Sequence, residues 1–354
     1  MTSMNGPALP ASWPDRVRAL SRGELTAVEP KPAATVLLLR DTPDGPAVHM
    51  LRRRASMAFA GGAYAYPGGG VDPRDERPVG WAGPALDRWS AALGVPPAHA
   101  QAVVCAAVRE TFEESGVLLA GPDPETVVAD TTGADWEADR AALVAHDLAF
   151  ADFLAGRGLV LRSDLLAPWA RWITPEFEAR RYDTWFFLAR LPEGQRTRDV
   201  SGEADHTVWL RPAQGVAGYD RGELTMLPPT ITMLRDLLPY DTADSALAAA
   251  SARDLTPVLA RAVLDASGEV VLRWPGHDEF TTVFGTGPST RDDTTDAADA
   301  TAAAKVTDAT GTRGAMDATD AIAAGNAVRA AAAQDPVIAP DGAAQAAGTE
   351  ESAR

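Results

Sequence analysis

Between Arg109 and Val117 the chain reads Arg-Glu-Thr-Phe-Glu-Glu-Ser-Gly-Val. On a helix, the carboxylates of Glu110, Glu113 and Glu114, spaced i, i+3 and i+4, share one face. Like charges at that spacing each cost a helix roughly 0.2–0.5 kcal/mol, and the macrodipole disfavours them further near the C-terminal end. A divalent cation relieves both penalties. Hard ions such as Mg2+ or Mn2+ take oxygen ligands and bridge carboxylates to phosphate groups, so the spacing offers Glu110, Glu113 and Glu114 as metal ligands for phosphate chemistry. Arg109 lies four residues before Glu113 and can brace one carboxylate without occupying the metal. Alone, the pattern is a weak signal that more often marks a solvated charged helix face, so its meaning depends on what surrounds it.

Other chemistries are poorly supplied. The single cysteine, Cys105, excludes an intramolecular disulfide and a cysteine-based zinc cluster, and fits a reducing cytoplasm. It sits one or two turns before the carboxylates with no adjacent base to make it a thiolate, so it reads as a small buried residue. No two of the five histidines are three or four apart, which rules out a histidine metal pair on one helix. A formal net charge of −17 with no basic stripe argues against nucleic acid as a partner. An anionic substrate would need bound cations or a few aimed arginines. Met1 to Pro14 lacks the pattern of a signal peptide, and no stretch is apolar for the length of a membrane span. The expectation is a cytoplasmic protein without a membrane partner.

The elements that must position this window follow from local pattern. After a proline-punctuated leader (1–30) with a short helix at Trp13 to Leu20, Ala33 to Arg40 reads as a buried strand, Asp44-Gly45 as a turn and Ala47 to Arg53 as the returning strand. Gly61, Gly62 and Gly68 to Gly70 mark a loop needing positive φ or close backbone approach. Helical pattern recurs at Ala85 to Leu93, at Ala100 to Ser115 with Gly116 as its stop, and across Glu137 to Arg157. Strands are expected at Val117 to Ala120, Trp169 to Thr174, Tyr182 to Leu191 and His206 to Leu210, and a closing helix at Leu227 to Leu238. That order predicts an α+β domain over 31–240, layered α/β/α about a mixed sheet, with an extension at 241–285. The Ala-, Thr- and Asp-rich segment 286–354 contains no aromatic residue and is expected to be a disordered acidic tail.

With Tyr66-Pro67-Gly68-Gly69-Gly70-Val71-Asp72 ahead of the acidic helix and Ser115-Gly116-Val117-Leu118-Leu119 closing it, the chain resembles the Nudix hydrolase superfamily. That family's box runs G-x5-E-x7-R-E-U-x-E-E-x-G-U, U being a bulky aliphatic residue. If Gly69 is the box glycine, Arg109 follows 40 positions later instead of 14, an insertion of about 26 residues that occupies 73–100. Counted back from Arg109, Gln101 stands at the mid-box glutamate, and Thr111 replaces U. The interruption is similar to the branch represented by peroxisomal acyl-CoA diphosphatases. So are Phe59 to Gly69, Val104 to Leu119 and Trp172 to Phe187.

The resemblance implies a Nudix-type sandwich, Mg2+ or Mn2+ as cofactor, and hydrolysis of the diphosphate in a small-molecule nucleoside diphosphate derivative. Homodimer formation is compatible with family habit. Glu110 and Glu114 would be the principal metal ligands, Glu113 a further ligand or the base, and Arg109 their brace. CoA or acyl-CoA is the first substrate expectation. Arg54-Ala55, Gly62 and Tyr66 to Gly69 partly follow the extra motif of CoA-cleaving members, although its spacing slips by one and its second arginine has no counterpart. ADP-ribose or a nucleotide sugar is the alternative substrate. A catalytically weak domain that binds a nucleotide as a regulator is the alternative of another class.

For substrate contacts the candidates are Arg52, Arg53, Arg54, Arg180 and Arg181 for phosphate, Gly68 and Gly69 for close backbone approach, and Glu203 as an extra acid. Trp169, Trp172, Trp185, Phe186 and Phe187 could stack on a base, but aromatic residues in strands more often fill a core. His206 reads as a structural strand residue.

Overall fold

The structure, a computed structural model, describes residues 12–55, 61–200, 202, 204–264, 270–274 and 282–283. The segment 286–354 and Glu203 lie outside the described residues.

Among the described residues the first element is helix α1 (Trp13–Ser21), followed by β1 (Lys31–Thr42) and β2 (Gly45–Arg53), which pair antiparallel around a turn at Gly45. Gly45 has φ 109° there, a conformation that glycine adopts without penalty. Two short strands follow, β3 (Tyr64–Ala65) on β2 and β4 (Gly68–Gly70) on β1. Next come a 3-10 turn (Pro73–Glu76), β5 (Trp81–Ala82), α2 (Leu86–Leu93) and the long α3 (Pro97–Ser115). The middle of the chain supplies β6 (Ala120–Gly121), α4 (Ala134–Val144), α5 (Phe150–Gly156), β7 (Val160–Arg162), β8 (Leu166–Ile173), β9 (Tyr182–Arg190) and β10 (Ala204–Leu210). After them lie α6 (Pro212–Asp220), α7 (Pro228–Asp236), α8 (Ala243–Ala249), β11 (Val258–Leu259), β12 (Arg261–Leu264), β13 (Val270–Arg273) and β14 (Thr282–Val283).

The main sheet runs β10-β2-β1-β9-β8-β11, and it is mixed: β1 lies antiparallel to β2 and parallel to β9. The continuous apolar run of β1 is explained by burial on both faces. Leu37 and Leu39 pack with α1, α6, α7 and α8, whereas Ala34, Val36 and Leu38 pack with α2, α3 and α5. The result is the α/β/α sandwich with mixed sheet expected from the order of elements.

Two expectations are corrected, and one helix is added. Glu137 to Arg157 is two helices, not one: the chain turns at His146, whose φ is 60°, and Arg74 NH1 donates to the His146 carbonyl at 2.8 Å. Alanine propensity carries a helical pattern across this break, and the tertiary contact overrides it. The run Val117 to Leu119 is buried, but only Ala120 and Gly121 enter a ladder. The Gln195 side chain serves as the missing strand partner, accepting from Leu118 N at 2.8 Å and donating to Leu118 O at 2.9 Å. The added helix, α6, contains Gly215 and Gly218. They admit Leu234 and Leu224, which a Cβ at either position would meet at 2.8 Å.

The insertion is part of the second core. Its β5 joins the small sheet β5-β7-β6, and Trp89 and Leu93 of α2 are buried against α3 and β9 residues. No single described helix is long and apolar enough to cross a membrane.

Candidate active site

Helix α3 begins with proline in its first turn and ends at Gly116, which takes the left-handed conformation with φ 73° and donates to Phe112 O at 2.9 Å. Between them the helix is buried almost all round, Arg109, Glu110 and Glu113 included, while Glu114 is half-buried. Charged groups so placed need partners. Arg109 supplies them: NH1 donates to Glu110 Oε1 at 2.8 Å and to Glu113 Oε1 at 3.3 Å, and NH2 donates to Gly70 O at 2.9 Å. Its remaining face is taken by Asp75, with Nε to Oδ1 at 3.0 Å and NH2 to Oδ2 at 2.9 Å. Burial works against the guanidinium charge, but Glu110, Asp75 and Glu113 outweigh it and hold Arg109 protonated more firmly than in water.

Asp75 is the residue that sequence reasoning missed. Counting back from Arg109 selects Gln101 as the mid-box acid. Counting forward from Gly69 through five residues reaches Asp75, on the 3-10 turn, where its Oδ2 also accepts from Asp72 N at 2.9 Å. The insertion therefore enters after the acid. Gln101 instead donates to the carbonyls of Glu76 and Arg77 at 3.2 and 3.0 Å and ties down the insertion.

The glycines before the helix act by absence of a side chain. A Cβ on Gly69 would lie 2.5 Å from Cδ and Oε1 of Glu110, and one on Gly68 would lie 2.5 Å from the Ala34 carbonyl. Close approach, not positive φ, is what these positions require. Gly68 N donates to Glu114 Oε2 at 2.8 Å, fixing the third carboxylate to β4. The far end of α3 is held by cations that suit its macrodipole. Arg140 NH1 donates to Glu113 O at 2.6 Å, and Glu137 couples Arg140 to Arg198, whose NH1 donates to Glu137 Oε2 at 2.8 Å.

Glu114 and Gly68 open onto a pocket of about 190 Å³ between the sheet and the start of α7. Thr35, Arg53, Tyr66, Thr184, Phe186 and Thr230 are among its other lining residues. Of the three consecutive arginines only Arg53 lines it; Arg52 and Arg54 are exposed, and Arg54 Nε reaches Ala204 O at 3.4 Å. Arg181 is corrected from a phosphate contact to a structural tie, because it is buried and donates to Thr174 O at 3.0 Å and Val28 O at 2.7 Å. Among the aromatic candidates Phe186 faces the pocket, and Trp169, Trp172, Trp185 and Phe187 are core. His206 is exposed on β10. Cys105 is buried and its thiol is pushed up, chiefly by burial.

Among the described residues, no three acidic, histidine or cysteine side chains form a ready-made metal cage. The donor set nonetheless fits a hard cation that takes one or two carboxylates and fills its shell with water and phosphate oxygens. Asp75, Glu110 and Glu113 share the single guanidinium of Arg109, Glu114 stands beside them, and Gly69 leaves room at the Glu110 carboxylate.

Mixed sheet, flanking helices and acidic helix together define a Nudix domain. More narrowly, residues 85–237 match the family described as the NUDT19 Nudix domain. The crystal structure of a Nudix hydrolase from Alicyclobacillus acidocaldarius superimposes with a TM-score of 0.54 at 27% identity, covering 65% of this chain and 99% of that one. Acyl-coenzyme A diphosphatase NUDT19 of Gallus gallus is 27% identical over 56% of this chain and 65% of its own length. The Homo sapiens protein of that name is 26% identical over 54% and 60% respectively. The chain thus spans 55–65% of the length of the curated relatives it matches.

Proposed function

We propose that this chain hydrolyses the diphosphate bond of a nucleoside diphosphate derivative in a metal-dependent reaction, with CoA or acyl-CoA as its substrate class. The observation that carries the reading is the Arg109-braced carboxylate cluster of α3, whose Glu114 opens onto a pocket. The kinship to acyl-coenzyme A diphosphatases supports the CoA assignment. Glu110 and Glu114 would be the principal ligands of Mg2+ or Mn2+, and Glu113 would be a further ligand or the base toward the attacking water. When bound, the cation offsets charge on phosphoryl oxygens and makes water a better nucleophile. The chain's own contribution is positional: Arg109 and Asp75 fix the rotamers of Glu110 and Glu113, and Gly68 N fixes Glu114. Such positioning and electrostatic preorganisation supply most of the catalysis in phosphoryl transfer.

The rival reading, a weak catalyst that binds a nucleotide as a regulator, drew on the absence of a mid-box acid at Gln101. It drew also on the interrupted box; the ion pair of Asp75 with Arg109, at the position counted forward from Gly69, weighs against it. The test is product release from CoA, acyl-CoA, ADP-ribose and nucleotide sugars with Mg2+ or Mn2+, beside a Glu114→Gln control. Turnover of CoA esters that the control abolishes is expected. Turnover of ADP-ribose or sugars alone would move the substrate class, and binding without turnover of any compound would favour the regulator.

A further inference from the structure

We infer that Arg53 is the anion anchor of the pocket, the side chain that binds the substrate's diphosphate beside Glu114 and so selects for it. The identity of the anion rests on the diphosphatase reading above; the site itself rests on three observations. First, alternation along β2 sends Arg53 into the pocket and leaves Arg52 and Arg54 exposed, so one of three successive cations is aimed. Among the described residues Arg53 is also the only cationic one on the wall of this pocket.

Second, two of its three guanidinium nitrogens are unused. The Nε and NH2 atoms are buried and have no hydrogen-bond partner among the described residues. Arg53 as a whole is half-buried, whereas the fully buried Arg109, Arg140, Arg162 and Arg181 all donate to carbonyls or carboxylates. Burying donors of a charged group without partners weakens a fold, so an arginine held this way is poised for a ligand absent from the protein itself. Third, the planar fork of a guanidinium matches two oxygens of a phosphate. In a chain of net charge −17, a diphosphate entering a pocket that already contains the Glu114 carboxylate needs such a cation. Thr35, Thr184 and Thr230, which share the wall, can supply further hydroxyl contacts to its oxygens.

The experiment uses the full chain and methylenediphosphonate, a non-hydrolysable diphosphate, with Mg2+ present, read by thermal unfolding and calorimetric titration. The analogue should raise the wild-type Tm. Arg53→Met should weaken its binding roughly 10- to 100-fold, while the ligand-free Tm stays equal or rises because two buried donors without partners have gone. Arg53→Lys, which keeps the charge and loses the fork, should fall between. With a substrate that turns over, Arg53→Met should raise KM far more than it lowers kcat. A ligand-free Tm several degrees lower in Arg53→Met with analogue affinity retained would make Arg53 structural and overturn the inference. So would a wild type that does not bind the analogue. Loss of CoA turnover with Arg53-dependent analogue binding would sink the substrate reading alone, whereas turnover with an unchanged KM in Arg53→Met would sink this one alone.

Discussion

Gly68 and Gly69 are adjacent, yet each is glycine for a different reason, and substitution should separate them. A methyl group on Gly69 meets the end of the Glu110 side chain, a flexible group that can swing aside. Gly69→Ala should therefore leave stability within about 1 kcal/mol while moving a carboxylate of the cluster, and misplacement of about 1 Å costs roughly 100-fold in rate. A methyl group on Gly68 meets the Ala34 carbonyl and the Thr35 Cα at 2.5 and 2.7 Å, and backbone cannot swing. Gly68→Ala should cost about 1–3 kcal/mol in unfolding free energy. Parallel denaturation and rate measurements decide the matter; an unimpaired Gly69→Ala enzyme would show that Glu110 is not in the machinery. Asp75 gives a second contrast. Asp75→Asn leaves Arg109 buried with less charge to balance it, so a loss of about 3–5 kcal/mol is expected, accompanied by a fall in kcat as Arg109 relaxes toward Glu110 and Glu113. Stability unchanged in that variant would mean the ion pair does not brace the site.

At the level of elements, the acidic helix was legible because its information is local. The i, i+3, i+4 spacing and the Gly116 stop lie within a few residues of one another, and α3 is found where they imply, whereas Gly68 to Gly70, read as a loop, form the short strand β4 on β1. What was not legible depends on contacts across the chain. Asp75 and Arg109 are 34 positions apart in sequence, and spacing counted from the wrong end of an interrupted motif lands on Gln101. The split between α4 and α5 is held by Arg74, 72 positions before His146. The extended run after α3 satisfies its backbone on a glutamine side chain, which no periodicity encodes. Of the arginine triplet, alternation could have separated Arg53 from its neighbours, but which parity faces the pocket depends on the register of β2 in the sheet. The insertion belongs with these long-range features. Trp89 is buried among residues of the second core and its Nε1 donates to Ser163 Oγ at 3.2 Å. Trp89→Ala should accordingly cost about 3–5 kcal/mol and leave kcat/KM of the folded fraction intact. A change in kcat/KM without loss of stability would make the insertion part of the site instead.

For the whole molecule, two buried groups give stability opposite dependences on pH. His49 is fully buried, and burial, aided by Arg40, lowers its pKa to about 4. Its neutral form is the one that folds, so its contribution is complete above pH 6.5 and is lost as pH falls toward 4. Glu178 is buried in the β8–β9 connection, and burial raises its pKa to about 7 against the pull of Arg16. Its contribution is complete below pH 4.5 and is lost as pH rises toward 7. Each is worth up to about 3 kcal/mol, and between pH 4.5 and 6.5 they oppose one another, so the wild-type profile should be flat there. Urea midpoints should show His49→Phe gaining stability relative to wild type as pH is lowered through this window, and Glu178→Gln gaining as pH is raised. Parallel profiles for all three proteins would exclude both groups as the source.

The sealed position of Cys105 has a practical consequence. With one sulfhydryl in the whole chain, and that one buried and held protonated, the native protein offers maleimide reagents no background. A cysteine installed at Arg54, exposed beside the pocket, would accept a single fluorophore at a known place. The domain then becomes its own optical reporter, in which ligand arrival is read as a change in emission without altering a buried residue.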